Sequence, residues 1–435
     1  MGNGKSGHEA TGSKPTSSKP DDGVTLRVPY SYFGAMYDDD EEKAVLRAMK
    51  QDRQTKGPHL EQFQKEFAAM CGVKHALATS NCTTAMHAAT QAFGIKEGDE
   101  VIITPNTFIA TSLVLLKEGA RPVYSDIDPK TYNIDPKQIE DKITPKTKAI
   151  YVVHYGGQMC DMDPIMEIAK KHNIYVLEDC AHTPGAEYKG RKAGSIGDIG
   201  CFSFHSLKNM TTLGEGGMVT TNNDEIAARV ARLRAMNTAT WDFPEGQSTF
   251  SFAGYTLTKT GISDYWIPSH HDVVDDDGKW GNNYRMNETQ AAVGICQLKK
   301  LKKMNEKRRE FGRYINESIK DIKGITPVYE DPNCYHVYHL YTVCVEEEMG
   351  IERDAFMRVL YREYGVQPIL HYQPTYHYTG LKKLGYPDKL CPVAEKFFYK
   401  RELNLPIHPR LTKEDCNIMI EGIKKAAKKV RRCER

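Results

Sequence analysis

The sequence predicts an α/β protein built around a mostly parallel sheet of about seven strands, followed by a smaller C-terminal α+β domain. Three observations lead to this prediction: strand and helix patterns alternate, the strand patterns are regularly spaced, and the pattern changes near residue 300. The spacing matters because parallel strands need a long crossover connection, whereas antiparallel strands do not.

The alternation begins at about residue 74, where short β-branched runs are separated by helical patterns. The runs are HALATS, EVIITP, RPVYSD, KAIYVVH, IYVLED, IGCFSF and GGMVTT. Through residue 179 they recur about every 20 to 25 residues, which leaves room for a crossover helix between parallel strands. The last two runs are closer together, so the sheet has room for one antiparallel strand.

A different pattern begins at Met286, where a long helical segment extends to about Ser318. After it, HLYTVCV is typical of a strand, RDAFMRVLYREY of a helix, and KEDCNIMIEGIKKAAKKV of a closing amphipathic helix. We therefore expect a large α/β domain at residues 27–300 and a small α+β domain at residues 301–435. Residues 1–26, rich in Gly, Ser, Lys and Pro, are expected to form a disordered tail.

Residues 239–280 interrupt the large domain with a segment of weak periodicity that contains all three tryptophans of the chain. We expect a long loop insertion, and loops of this length inside a compact domain tend to be functional or mobile. Two interpretations stay open: the segment shapes a ligand pocket as a lid or selectivity loop, or it packs a dimer. Its histidines and acids lack the spacing of a known metal site, so no metal is predicted.

Composition excludes several functional classes. Lys plus Arg (59) nearly balance Asp plus Glu (57), so no strong field attracts nucleic acid or an anionic membrane. No stretch approaches the roughly 18 consecutive apolar residues that a membrane helix needs. The 11 cysteines include no C-x-x-C pair, which is typical of reduced thiols rather than of disulfides or a zinc site. We expect a cytoplasmic protein that acts on small molecules.

Two residues at strand ends indicate the chemistry of a pyridoxal phosphate enzyme. Lys208 follows the strand IGCFSF and precedes a Gly-rich turn, so its amine can project into a cleft and form a Schiff base. Asp179 ends the strand IYVLED, at the edge where open α/β sheets bind ligands, and can keep a pyridine nitrogen protonated. Taken singly, Lys208 is also consistent with a surface lysine, and Asp179 with a helix cap.

The other contacts of such a cofactor have candidates nearby. The segment SNCTTAMHAATQAF runs from a strand into a helix, whose N-terminus at Thr83 is suited to a phosphate. Ser203 can add a hydroxyl to the same phosphate, and Phe108 and His182 can pack against the ring. Each also has a simpler interpretation, since Ser and Thr are common in caps and turns, and a lone Phe or His usually packs in the core.

Together these segments resemble the DegT/DnrJ/EryC1/StrS family of sugar aminotransferases, which are fold-type I pyridoxal phosphate enzymes. The resemblance covers roughly residues 30–428. It is most specific from Leu177 to Val219, where acid, histidine, serine and lysine stand at the family's spacing. Other matching segments are KGPHLEQFQKEFA, SNCTTAMHAA, TPNTFIATS, HYGGQMCDMDPI, GNNYRMNETQAAVGICQL, HYQPTYH and LNLPIHPRLTKED.

The resemblance implies a role for each residue around the ring. Lys208 carries the cofactor as a Schiff base, and Asp179 pairs with the pyridinium nitrogen. His182 lies beside the ring, and Phe108 stacks on its other side. Some relatives have histidine in place of this lysine and act as dehydratases, so the presence of Lys208 favours ordinary transamination.

The phosphate contacts implied by the resemblance come from two subunits. Cys82, Thr83 and Ser203 align with phosphate-contacting positions of one chain, and Asn283 aligns with an asparagine supplied by the other. The enzyme is therefore expected to be a homodimer with shared active sites. Cys82 replaces a common glycine, which leaves backbone contacts intact, and Asn282 replaces the aromatic residue of the usual GYNYR at the subunit junction.

By the same resemblance, the expected reaction transfers an amino group from glutamate or glutamine to a keto sugar, which the family leads us to expect is nucleotide-linked, or to a keto-cyclitol. The cofactor alternates between pyridoxal phosphate and pyridoxamine phosphate, and Lys208 shuttles the proton. His371 and Tyr372 are expected to shape the acceptor pocket. Two alternatives stay open: a dehydratase that uses the same cofactor, and a non-catalytic regulatory protein on the same fold, which Lys208 and Asp179 disfavour.

Overall fold

The computed structural model describes residues 23–237, 249–252, 255–258 and 277–433. The tail predicted at residues 1–26 and the loop predicted at residues 239–280 therefore lie largely outside the described residues. Within that loop the structure has a short antiparallel hairpin, in which Phe252 pairs with Tyr255. Its two strands, TFSF and YTLT, are rich in the β-branched and aromatic residues that favour strands, so this part of the segment is not irregular.

Helices and strands alternate from the first strand onward. The helices are α1 (Asp39–Ala48), α2 (Pro58–Cys71), α3 (Cys82–Ala92), α4 (Ala110–Lys117), α5 (Met162–His172), α6 (Asp224–Leu233), α7 (Glu288–Ile319), α8 (Arg353–Tyr364), α9 (Thr379–Lys382), α10 (Pro392–Lys396) and α11 (Lys413–Cys433). The strands are β1 (His75–Thr79), β2 (Glu100–Ile103), β3 (Arg121–Tyr124), β4 (Thr147–Val153), β5 (Tyr175–Asp179), β6 (Glu187–Tyr188), β7 (Arg191–Lys192), β8 (Ile199–Ser203), β9 (Gly217–Thr221), β10 (Thr249–Phe252), β11 (Tyr255–Thr258), β12 (Ile325–Thr326), β13 (Cys334–Tyr335), β14 (Tyr341–Val345) and β15 (Glu402–Leu405).

A seven-stranded sheet with the order β1-β9-β8-β5-β4-β2-β3 forms the centre of the molecule. Strand β9 is antiparallel to both of its neighbours. The other neighbouring pairs are parallel. The structure therefore confirms the predicted mostly parallel sheet, and each predicted strand run corresponds to one of its strands. Because β4, β5 and β8 run in the same direction, their carboxyl ends meet at one edge.

The central strands are buried on both faces, which explains why their sequences are almost continuously apolar. Alternate residues pack into two different cores, as the period of a strand requires. Tyr151 and Leu177 pack with residues of α3, α4 and α6. Ile150 and Val176 pack with residues of α2, α5 and α7 on the opposite face. Helices on both faces thus hold the sheet in a rigid layer, from whose edge the site is built.

Helix α7 connects the central sheet to the C-terminal part. Its first turns pack under the sheet through Ala291 and Ile295. Its last turns pack, through Ile315 and Ile319, in a third core with strands β12, β14 and β15 and helices α8 and α11. The domain boundary predicted at residue 300 falls inside this continuous helix, and the division into two domains remains our proposal. No described helix combines the length and the apolar character needed to cross a bilayer.

Candidate active site

A cavity of about 360 Å³ opens at the carboxyl edge of the central sheet, beside the N-terminus of α3. Its walls include the last residues of β4, β5 and β8. Of the predicted site residues, the cavity is lined by Cys82, Thr83, Phe108, Asp179, His182, Ser203, Lys208, His371 and Tyr372. The structure therefore brings together every predicted residue except Asn283, and their individual roles stay predictions.

Asp179 is the last residue of β5; it is buried and lines the cavity. Its Oδ1 accepts a hydrogen bond from Ala181 N–H at 3.0 Å, and its Oδ2 accepts one from the Thr111 hydroxyl at 3.2 Å. Burial raises the pKa of Asp179, while the Ala181 N–H and the charge of Lys208 oppose that rise. The result is a buried carboxylate with a donor at each oxygen, whose negative charge would be stabilised further by a cationic group bound beside it.

Lys208 lies in the turn that follows β8, with its backbone N–H donating to His205 O at 2.9 Å. Burial lowers the pKa of its amine, whereas the neighbouring Asp179 and Cys82 raise it. A lysine with a lowered pKa has a larger neutral fraction, and only the neutral amine can attack a carbonyl. The position therefore suits Schiff-base chemistry.

The N-terminus of α3 forms another part of the cavity wall. Asn81 caps the helix, because its side chain accepts from Thr84 N–H while the Thr84 side chain accepts from Asn81 N–H. The N–H groups of Cys82 and Thr83, in the first turn, have no acceptor among the residues that the structure describes. Two unpaired donors at a helix N-terminus form a ready site for an anion such as phosphate. Ser203 ends β8 on the same wall.

His182 and Phe108 supply the ring-packing surfaces. His182 is buried and stacks on His339, with ring centroids 4.2 Å apart and planes 27° apart. Burial lowers the pKa of His182 well below its usual range, and so does the charge of Lys208, which keeps the imidazole neutral. Phe108 is 57% exposed although it is a large apolar residue, and its ring meets Tyr372 edge-on at 6.3 Å. An aromatic side chain left open at a cavity suits a flat ligand.

Asn283 is exposed and does not line the cavity of its own chain. The next residue anchors this segment beside α3, since Tyr284 O accepts at 2.8 Å from the N–H of Ser80, which lies between β1 and that helix. The Tyr284 hydroxyl lies 2.7 Å from Nδ1 of His87 in α3. That Asn283 acts in a second subunit stays a prediction of the sequence analysis.

Three contributors were missed by the sequence analysis. Thr111 donates a hydrogen bond to Asp179, His339 stacks on His182, and Asn81 caps helix α3. Only Asn81 had a sequence signal, because Asn directly before a helical run is a preferred N-cap residue. The other two contacts join segments distant in the chain, which no local pattern indicates.

The residues of this cavity fit pyridoxal phosphate on the chemistry of their donor groups. An amine, a buried carboxylate and a pair of free N–H donors correspond to the three functional ends of that molecule: its carbonyl, its ring nitrogen and its phosphate. Lys208, Asp179 and the first turn of α3 provide them. His182 and Phe108 lie where they can pack against a planar ring.

Comparison with known proteins also indicates an aminotransferase, and the similarity extends over most of the chain. A model described as the DegT/DnrJ/EryC1/StrS aminotransferase family matches residues 36–424. The chain is 38% identical over 373 residues to the GDP-perosamine synthase of Caulobacter vibrioides, covering 84% of this chain and 90% of that relative. It is 34% identical over 390 residues to the dTDP-3-amino-3,6-dideoxy-alpha-D-galactopyranose transaminase of Aneurinibacillus thermoaerophilus, covering 89% and 95%. The X-ray structure of the aminotransferase from Psychrobacter cryohalolentis superposes with a TM-score of 0.82 at 33% identity, covering 92% of this chain and 100% of that one.

Proposed function

The chain belongs to the DegT/DnrJ/EryC1/StrS aminotransferase family, and we propose that it transfers an amino group from L-glutamate or L-glutamine to a nucleotide-linked keto sugar. It is a sugar aminotransferase that depends on pyridoxal phosphate. The similarity to GDP-perosamine synthase and to a dTDP-sugar transaminase supports the nucleotide-linked acceptor over a keto-cyclitol.

The observation that carries this proposal is the placement of Lys208 and Asp179 in one cavity. Pyridoxal phosphate, when bound, supplies a carbonyl that condenses with amines and a ring that withdraws electrons from the reacting carbon. In the proposed cycle Lys208 Nζ holds the cofactor between turnovers, which its lowered pKa favours. Once the substrate amine displaces it, the same Nζ takes a proton from the amino-bearing carbon and passes it on.

The remaining residues hold and orient the cofactor in this proposal. The Asp179 carboxylate keeps a proton on the ring nitrogen, because a buried negative charge stabilises the cationic form of its neighbour. Cys82 and Thr83 donate their N–H groups to the phosphate, and Ser203 adds its hydroxyl. His182 packs on one face of the ring.

The site is completed by a second copy of the chain in this proposal. Asn283 is exposed on an anchored segment, so it is free to reach the phosphate of a partner subunit. Phe108 is open at the cavity, and His371 and Tyr372 lie across from it in the space for the acceptor sugar. A homodimer with two shared sites follows.

The proposal is tested by the absorbance of the protein, loaded with pyridoxal phosphate, between about 300 and 500 nm. Each amino acid, L-glutamate or L-glutamine, is added to the wild type and to Lys208→Ala. We expect the band of the lysine-bound cofactor to give way to that of the pyridoxamine form with one of the two donors. The Lys208→Ala variant is expected to lack the first band altogether.

A matched control is Lys192→Ala, because Lys192 lies outside the cavity and pairs with Glu187. This variant should behave like the wild type. If neither amino acid changes the wild-type spectrum, the proposed donors are wrong. If Lys208→Ala keeps the lysine-bound band, the assignment of Lys208 is wrong.

A further inference from the structure

One acid, Glu118, holds the segment that carries Asn283 on both sides of that residue. Glu118 directly follows the last residue of α4. Its Oε2 pairs with Lys279 Nζ, and its Oε1 lies 2.9 Å from Nε2 of His87 in α3. Nδ1 of the same histidine lies 2.7 Å from the Tyr284 hydroxyl. Because Lys279 precedes Asn283 and Tyr284 follows it, a single carboxylate fastens the segment at both ends.

The hydrogen bonds of this network have a defined direction. Although burial raises the pKa of Glu118, the bonds from His87 and Lys279 outweigh it and lower that pKa overall, so the carboxylate is ionised and can only accept. The histidine therefore donates from Nε2. Burial raises the pKa of Tyr284, so its hydroxyl keeps a hydrogen, for which Nδ1 of a neutral imidazole is the acceptor. Each bond in the network thus has one donor and one acceptor.

Backbone bonds hold the same segment at the end of α6. Asn282 N–H donates to Leu233 O at 2.7 Å, and Tyr284 N–H donates to Arg234 O at 2.9 Å. Asn283 lies between these two anchored residues and is exposed. In the part of the chain that the structure describes, its side chain has no hydrogen-bond partner. The segment therefore presents an unpaired amide from a backbone that is fixed on both sides.

The charges of the network are mostly buried, so stability alone is a weak reason for them. The side chains of Glu118, Lys279 and His87 are 10%, 12% and 9% exposed, respectively. The loss of hydration of such groups offsets most of their attraction, and apolar residues of similar volume often replace a buried ion pair without loss of stability. What the charged network adds is a specific geometry. A residue that must meet a ligand in another subunit needs such a geometry.

We propose that Glu118 is a positioning residue that sets where Asn283 meets the cofactor phosphate in a second copy of the chain. This inference rests on the proposed function, in which two subunits share their sites. Glu118 does not line the cavity of its own chain. The alternative is that it acts there indirectly, because His87 belongs to α3, whose first turn faces that cavity. The two possibilities differ in which subunit feels the loss of Glu118.

The test measures the apparent Kd of pyridoxal phosphate, titrated into the protein freed of it, from the absorbance of the lysine-bound cofactor. Glu118→Gln keeps the shape of the side chain and removes its charge. With Asn283 displaced, the phosphate loses one hydrogen bond. A dimer of this variant should therefore bind the cofactor about tenfold more weakly than the wild type.

Mixed dimers show in which subunit Glu118 acts, because a Lys208→Ala chain contributes no lysine-bound band. In the first pair, Glu118→Gln is joined to Lys208→Ala. The observed site then receives Asn283 from a chain with intact Glu118, and its Kd should return to the wild-type value. In the second pair, a wild-type chain is joined to one that carries both Lys208→Ala and Glu118→Gln. The observed site receives Asn283 from the altered segment, and its Kd should rise about tenfold.

The opposite pattern, a raised Kd in the first pair and a normal Kd in the second, would place the action of Glu118 in its own chain and overturn the inference. An unchanged Kd in the Glu118→Gln dimer would overturn it as well. Asn283→Ala in the same two pairs tests the shared site itself. If its effect does not follow the partner subunit, the proposed dimer is wrong, and this inference with it. If its effect follows the partner and that of Glu118→Gln does not, only this inference fails.

Glu140→Gln is the matched control, because Glu140 also pairs with a lysine and a histidine, Lys171 and His172, but at the surface. It should leave the Kd unchanged. Tyr284→Phe covers the case of a Glu118→Gln chain that does not fold, since it removes one hydroxyl and leaves no charge unpaired. It should show the same dependence on the partner with a rise of about threefold, the effect of a weaker, neutral bond. No rise in any folded variant of the two would overturn the inference.

Discussion

Thr111 donates a hydrogen bond from its hydroxyl to the Asp179 carboxylate, across 3.2 Å and inside the protein. Thr111 is itself held by Thr107, whose hydroxyl lies 2.8 Å away on the preceding turn. With the bond from Ala181 N–H, each carboxylate oxygen of Asp179 has a donor. Thr111 thus positions the acid that the proposed mechanism places at the ring nitrogen.

Removal of this bond through Thr111→Val should lower kcat/KM about tenfold, the effect of one hydrogen bond to a charged group. The bond lowers the pKa of Asp179, so its loss raises that pKa further above the usual range. Activity needs the ionised carboxylate and is lost as pH falls through this pKa. The acid limb of the pH profile should therefore move to higher pH in the variant.

Thr111→Ser is the control, because it keeps the hydroxyl and removes only a methyl group. It should retain most of the activity and the wild-type acid limb. A Thr111→Val enzyme whose activity falls equally at every pH would show that Thr111 contributes packing rather than control of Asp179.

Much of this site could be predicted because strand ends are visible in a sequence. The apolar run IYVLED ends in Asp179, and the structure ends β5 at that residue. Lys208 was predicted in the same way, from its position after a strand run and before a Gly-rich turn, and the structure places it in the same cavity as Asp179. In an open α/β sheet the carboxyl ends of parallel strands lie at one edge. Residues that follow different strands can therefore be predicted to lie close together even when they are far apart in the chain.

The contacts that orient these residues could not be predicted. Thr111 is 68 residues from Asp179, and His339 reaches His182 from the C-terminal part of the chain. Such contacts depend on how separate elements pack against one another. No sequence pattern around Thr111 or His339 indicates which distant residue each of them contacts. The hairpin of β10 and β11 was missed for a different reason, since two four-residue strands are too short for periodicity to be clear.

A second prediction concerns Glu178, the buried neighbour of Asp179 in β5. Its Oε1 accepts from Ile196 N–H and Gly197 N–H, and its Oε2 from Gly194 N–H and the His154 ring. Glu178→Gln should lower the free energy of unfolding by about 2–4 kcal/mol. The NH₂ group of the glutamine would replace one carboxylate oxygen and would face buried N–H donors to which it cannot bond. Urea unfolding at neutral pH measures the change.

The same bonds predict how stability depends on pH. Although burial raises the pKa of Glu178, the His154 bond and charge and the backbone N–H groups outweigh it, and the pKa is lowered overall. The contribution of Glu178 is present above its unfolded pKa of about 4.3 and is lost as pH falls through the folded value. Glu178→Gln should therefore lose less stability than the wild type on acidification. Glu140→Gln, at an exposed carboxylate that pairs with His172 and Lys171, is the control and should change both quantities much less than Glu178→Gln does, because exposed pairs contribute little to stability.

A third prediction concerns Gly34, which lies against the backbone of the lysine turn. Its N–H donates to Ser206 O at 2.7 Å, and a Cβ at this position would overlap the carbonyl oxygens of Leu207 and Lys208. Arg308 holds Gly34 from the other side, donating to its carbonyl at 2.6 Å, so the segment cannot retreat. Gly34→Ala should displace Lys208, lower kcat more than about tenfold, and cost about 1–3 kcal/mol.

Gly380→Ala is the matched substitution, since a Cβ there would meet no atom within 4 Å. It should leave kcat and the unfolding midpoint unchanged. The absorbance of the lysine-bound cofactor distinguishes displacement of Lys208 in Gly34→Ala from a loss of stability alone. A variant that is destabilised but keeps a normal band and a normal kcat would show that the turn shifts without moving Lys208.

The last prediction tests whether two copies of the chain share each site. Lys208→Ala and Asn283→Ala are each expected to be nearly inactive as pure proteins, the first by loss of the amine and the second by loss of a phosphate contact. In a mixed dimer, the Asn283→Ala chain keeps its Lys208 and receives Asn283 from its partner. One site is then intact, while the other lacks both residues, so the mixed dimer should have about half of the wild-type activity.

Co-expression of the two variants with different affinity tags isolates the mixed dimer for this measurement. If Asn283 instead acts within its own chain, both sites of the mixed dimer are defective and no activity returns. Substitution of the adjacent Asn282, whose side chain donates to Trp280 O within its own chain, provides the control. An Asn282→Ala homodimer should be active and should gain nothing when one of its chains is replaced by Lys208→Ala, because each of its sites already contains Lys208 from one chain and Asn283 from the other.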